Sequence, residues 1–120
     1  MQLLTKELLR KIPPLYSQEM EPDPLLVCKF FTPDAHWTWY VAEGGLYRPE
    51  APGRHEPLTG YDPETDDILF FGYVVGDFPE LGYFRLSELR SVRGAVGLPV
   101  ERDRYFTPLR LSELKTRGNG

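Results

Sequence analysis

The stretch LLVCKFFTPDAHWTWYVA, Leu25 to Ala42, decides how this chain folds. Two runs of strand-forming residues, LLVCKFF (25–31) and HWTWYVA (36–42), are separated only by TPDA, whose proline and aspartate favour a turn. That is the pattern of a β-hairpin. With Phe31 opposite His36, Phe30 faces Trp37, Lys29 faces Thr38, Cys28 faces Trp39, Val27 faces Tyr40 and Leu26 faces Val41. Side chains alternate between the faces of a sheet. One face then carries Leu26, Cys28, Phe30, Trp37, Trp39 and Val41, and both tryptophans are expected in the core. The other carries Val27, Lys29, Phe31, His36, Thr38 and Tyr40, a mixed set.

A second hairpin is expected from ILFFGYVV (68–75) and LGYFRL (81–86), joined by GDFPE. Pairing Val75 with Leu81 sets Tyr73 opposite Tyr83 and Phe71 opposite Arg85. Ile68, Phe70, Gly72, Val74, Gly82, Phe84 and Leu86 form its core face, with the two glycines marking close backbone approach. Between the hairpins, residues 44–67 make a long connection stiffened by Pro49, Pro52, Pro57 and Pro63. Connections of this length are commonly functional or mobile.

Three helices complete the pattern. Thr5 caps KELLRKI, which Pro13–Pro14 ends, because proline cannot donate and excludes α geometry before it. RLSEL occurs at 85–89 and again at 110–114, with Ser87 and Ser112 expected as N-caps and no capping box. The expected architecture is α+β: an antiparallel sheet of about four strands, from two hairpins, with three short helices, as a single domain over 1–120.

The composition, 41% hydrophobic and 27% charged, is that of a globular chain. No apolar run approaches the roughly 18 residues of a membrane span, and the N-terminal residues lack a signal-peptide core. No membrane association is expected, and the cytoplasm is the expected compartment, in keeping with one cysteine, Cys28. The net charge of −4 is unevenly spread. Residues 18–80 hold 13 acids against 3 bases, and residues 81–120 hold 8 bases against 4 acids. Such a dipolar chain suits a charged partner on one side.

Signals for chemistry are few. DPETDD (62–67) offers carboxylates at alternate positions, but an EF-hand also needs glycine sixth and glutamate twelfth, where Asp67 and Tyr73 stand. His36, His55 and Cys28 are too scattered for zinc. No metal and no cofactor is expected. No nucleophile motif or phosphate-binding glycine loop is present, which leaves Asp34 with His36 as the one candidate acid–base pair. Two surfaces are candidates for binding. One is the mixed sheet face, gathering Lys29, His36, Tyr40, Tyr73, Tyr83 and Arg85, where aromatics interleaved with cations suit the stacking of unpaired bases. The alternative for that face is a second core layer, covered by the N-terminal helix or the 44–67 connection. The other surface is the acidic loop with Asp62, Glu64, Asp66 and Asp67.

The blocks LLTKELLRKIPPLYSQE, DPLLVCKFFTPDAHWTWYVAEG, LFFGYVVG, ELGYFRLSELRSVRG and GLPVERDRYFTP, in that order, resemble an uncharacterised domain-of-unknown-function family. Its members are small proteins borne on bacterial plasmids and other mobile elements. The resemblance implies a role in transfer, maintenance or evasion of host defence, and carries over no catalytic residue. The expected function is a non-catalytic binding module of a mobile genetic element, contacting a protein or nucleic acid of transfer or host-defence machinery. A protein is the expected partner. A single-stranded nucleic-acid binder using the aromatic–basic face is the alternative, and an enzyme with a site at Asp34 and His36 the third.

Overall fold

The computed structural model describes residues 3–47 and 58–117. His55, Pro49, Pro52 and Pro57 lie outside them. The elements run α1 (Lys6–Lys11), β1 (Leu25–Leu26), β2 (Cys28–Phe31), β3 (Thr38–Tyr47), a 3₁₀ turn (Leu58–Gly60), β4 (Asp67–Val75), β5 (Pro79–Arg85), α2 (Leu86–Ser91), β6 (Glu101–Arg102), β7 (Leu109–Arg110) and α3 (Leu111–Thr116). The fold is α+β with three short helices. The main antiparallel sheet has five strands rather than about four, in the order β5-β4-β3-β2-β6, and β1 pairs with β7 in a separate two-stranded ribbon.

Both hairpins form, each in a register two residues away from the expected one. Phe30 lies opposite Trp39 and Phe31 opposite Thr38. The β-turn falls on TPDA itself, the Thr32 carbonyl accepting the Ala35 N–H with proline second, but the loop runs on to Trp37: the Thr32 N–H donates to the Trp37 carbonyl and the Thr32 hydroxyl accepts the Trp37 N–H at 3.1 Å. Trp37 is thereby left in the loop. It is 40% exposed, not core, and its ring lies over Trp39 and against Gly76, where a Cβ would collide with it. In the second hairpin Tyr73 lies opposite Leu81 and Phe71 opposite Tyr83, because Pro79 already opens β5 and only Gly76–Phe78 form the turn.

A slip of two residues leaves every side chain on its own face. Cys28, Phe30, Trp39, Val41, Ile68, Phe70, Phe84 and Leu86 therefore form one core layer as expected, closed by Ile12, Leu58, Leu89 and Val100. Leu26 is the exception. The strand breaks at Val27, and Leu26 turns to the opposite layer. Gly72 is the close approach anticipated for it, since a Cβ there would strike the Tyr40 carbonyl; Gly82 is not, and faces open space.

The second face is also a core layer at its centre. Tyr40, Ala42 and Tyr73 pack with Leu26 against Leu109, Leu111 and Leu114. Its cover among the described residues is therefore β7–α3; α1, and Leu58 and Tyr61 from the described part of the 44–67 connection, pack on the other layer. The helix starts differ too: Arg85 and Arg110 occupy the N-cap positions, with Ser87 and Ser112 two residues inside. Glu88 and Glu113 stand at the third helical position and reach back to the cap N–H, one half of a capping box where none is expected with serine as the cap.

Candidate functional site

The covering of the second face splits the aromatic–basic surface expected there. Tyr40 is 1% exposed, packed against Phe106, and Tyr73 lies beneath the Lys115 ammonium, 5.6 Å from its ring centroid. Burial pushes the Tyr40 phenol above its ordinary range. Lys29 spans the Phe31 and Tyr40 rings and reaches Asp103 at 4.0 Å. Arg85 bonds Glu88 at 3.3 Å and lies over Tyr47. Arg102 stands on β6, at the opposite edge of the sheet from β5, so Arg102 and Arg104 form no patch beside Tyr83. No continuous stacking row exists for Lys29, His36, Tyr40, Tyr73, Tyr83 and Arg85 to share.

Asp34 and His36 make no dyad. Both lie in the β2–β3 loop, where His36 is exposed. The Asp34 carboxylate instead accepts the N–H groups of Val96 and Leu98, at 2.7 and 3.3 Å, and holds the 94–98 turn. Cys28 is buried, and desolvation raises its thiol to about 12, so it stays protonated at neutral pH. In the acidic loop, Asp62 accepts the Glu64 N–H and Asp66 the Asp62 N–H, each at 2.9 Å, closing a turn. Asp67 ties down α2 by accepting the Ser87 N–H at 2.9 Å and the Ser87 hydroxyl at 2.6 Å. Among these four acids Glu64 accepts no hydrogen bond among the described residues. Among those residues no group of three or more His, Cys, Asp or Glu side chains is placed to hold a metal ion.

One part of the second face remains open: the edge strand β5. Its outward row carries Leu81 and Tyr83, 46% and 52% exposed, with Phe71 5.0 Å behind Tyr83 between ring centroids. Tyr16 joins them from the segment before β1. Partial burial first, then the neighbouring Tyr16 phenol and the acids Glu43 and Glu19, raise the Tyr83 phenol above its ordinary range.

Tyr16 is held there at a backbone cost. Its φ of 68° is in the left-handed region, uncommon for a bulky residue. The restraint comes from Glu43, 97% buried by virtue of its 3% exposure, whose carboxylate accepts the N–H groups of Tyr16 and Gln18 at 2.8 and 2.7 Å. A β-bulge puts Glu43 in position: between Val41 and Glu43 the register with β4 shifts by one residue, moving Glu43 onto the second face. Gln18 completes the device. Its amide nitrogen donates to the carbonyls of Ala42, the bulged residue, and Leu25, and its oxygen accepts the Leu25 N–H.

Tyr16, Gln18, Glu43 and Leu81 were not among the site residues expected from sequence. Glu43 alone carried a signal, as a lone carboxylate inside the strand-forming run TWYVAEGGLY. The bulge that aims it leaves no mark in residue type.

Residues 45–116, more than half of the chain, match the model of a family described as protein of unknown function (DUF2958). The chain belongs to that family. LFFGYVVG, ELGYFRLSELRSVRG and GLPVERDRYFTP fall within the matched range, and the two N-terminal blocks precede it. No match was found among curated proteins or among solved structures.

Proposed function

We propose that this DUF2958 protein is a non-catalytic binding module whose partner is a protein, engaged along the open edge of β5. The observation that carries the reading is the strained Tyr16 backbone, fixed by buried Glu43 beside Tyr83. Backbone strain in a bulky residue persists where the surroundings over-determine it, and such sites cluster at places of contact. Here it adds an aromatic ring to an exposed apolar strip rather than hiding one.

An edge strand offers unpaired N–H and C=O groups to an extended segment of another chain. Leu81, Tyr83 and Tyr16 would pack against alternate side chains of that segment on one face. Asp77 and Glu80 flank the strand at its start and favour a basic partner. The same acids disfavour nucleic-acid phosphates, whose affinity comes chiefly from Lys and Arg. The setting belongs to this reading as well: on the resemblance of the sequence, the module serves a plasmid or other mobile element, in the cytoplasm, against transfer or host-defence machinery. No helix of the described residues is long and apolar enough to cross a membrane.

The test is photo-crosslinking in the native host, with p-benzoylphenylalanine placed at Leu81, Tyr83 or, as a remote control, Glu64. The expected result is one protein captured from positions 81 and 83, absent from position 64, with capture weakened by salt. Equal capture at all three positions, or capture of nucleic acid alone, would overturn the reading.

A further inference from the structure

On the other face of the sheet, a cavity of about 610 Å³ lies between α1, α2 and the segment leading into β6. Ligand pockets span about 300–1,000 Å³, and a water molecule needs only about 30 Å³. Leu3, Leu4, Leu9 and Tyr61 pack on the main core layer yet stay half-buried, and all four line this space. Apolar surface that folding leaves unused is thus concentrated around one concavity.

Its charged lining is Lys6, Arg90 and Glu101. None of the three forms an ion pair among the described residues. Arg90 is positioned by donating from Nη2 to the Tyr61 hydroxyl at 3.0 Å, which leaves further guanidinium donors. Two cations against one carboxylate give the site a net positive charge, and a planar guanidinium suits a carboxylate.

We propose that this cavity binds a small amphipathic anion, its apolar body among Leu4, Leu9 and Leu89 and its carboxylate between Lys6 and Arg90. The site lies away from β5 and does not depend on a protein partner there.

Decanoate is the probe, with decyltrimethylammonium as its cationic counterpart, followed by titration calorimetry and methyl NMR on the full chain. Decanoate should bind with methyl shifts confined to Leu4, Leu9, Leu89 and Val100, and at least tenfold tighter than the cationic chain. Lys6→Gln with Arg90→Gln, both at exposed positions, should weaken decanoate at least fivefold with the melting temperature retained. Leu4→Trp, filling the space, should abolish binding. Absence of decanoate binding at millimolar concentration, equal binding of the cationic chain, or undiminished binding by the double variant would each overturn the proposal.

Discussion

Trp37 and Trp39 are two residues apart, share a face and stack with ring centroids 6.0 Å apart, yet they have different work. Trp39 is 7% exposed and belongs to the main core layer, whereas Trp37 lies outside the strand on its neighbour and on Gly76. Trp39→Ala should therefore cost about 3–5 kcal/mol, the range of large core truncations. Trp37→Ala should cost clearly less, since much of its ring is already in water. Urea unfolding midpoints of the two variants would check the order, and equal losses would mean that Trp37 is as much a core residue as its neighbour. Glu43 is the converse case, a charged residue within a buried strand. Its two backbone hydrogen bonds account for its place there, since buried carboxylates persist where they are bonded.

At the scale of elements, the repeated RLSEL marks a repeated construction. Asp67 stands two residues before Leu69, which pairs with Arg85; Asp23 stands two residues before Leu25, which pairs with Arg110. In each copy the aspartate accepts both the N–H and the hydroxyl of the helix serine, Ser87 from Asp67 and Ser112 from Asp23. The helices so anchored cover opposite faces, α2 through Leu86 and Leu89 and α3 through Leu111 and Leu114. The hydroxyl and backbone hydrogen bonds from Ser112 favour the ionised Asp23 carboxylate and hold it below its ordinary range. As pH falls, the unfolded chain takes up this proton first. The stabilisation is present above about pH 4 and is lost as pH drops through the folded-state value. Asp23→Asn should accordingly flatten the dependence of the unfolding midpoint on pH below about 4, while an unchanged pH profile would count against the cap. The β4–β5 hairpin gives a second contrast. Gly72→Ala should destabilise strongly, because the new methyl meets the Tyr40 carbonyl, whereas Gly82→Ala, with open space before it, should be neutral or stabilising by up to about 1 kcal/mol. Thermal melts of the pair would decide it.

In the whole molecule, one sheet separates two core layers, and its two edges differ. β6 is two residues long and ends among Arg102, Asp103 and Arg104, while β5 offers seven residues with Leu81 and Tyr83 outward. The second layer depends on α3, which buries Tyr40 and helps to raise its phenol. That contribution to stability is present below about pH 10 and is lost as pH rises through the folded-state value. Leu114→Ala should cost about 2–5 kcal/mol and let Tyr40 ionise nearer the ordinary tyrosine value. Spectrophotometric titration would show this as a shift of the late phenol, and a titration identical to the parent protein's would mean that α3 is not the cover.

Residue type and spacing alone determined the α+β class, both hairpins, the Thr5 cap, the Gly72 contact and nearly all of the main core layer. They did so because strand periodicity, proline geometry and turn chemistry act within a few residues. Face assignment even survived the error in register, since a slip of two preserves the alternation that burial enforces. Tertiary structure alone decided the rest. Whether Tyr40 and Tyr73 lie open or covered depends on where β7 and α3 return after many intervening residues, and local pattern carries no trace of that path. Likewise the Tyr16–Tyr83 edge exists only because a bulge at Ala42 turns Glu43 toward a segment 25 residues or more earlier in the chain. Long-range hydrogen bonds of that kind are made by the assembled fold, not by the sequence around either partner.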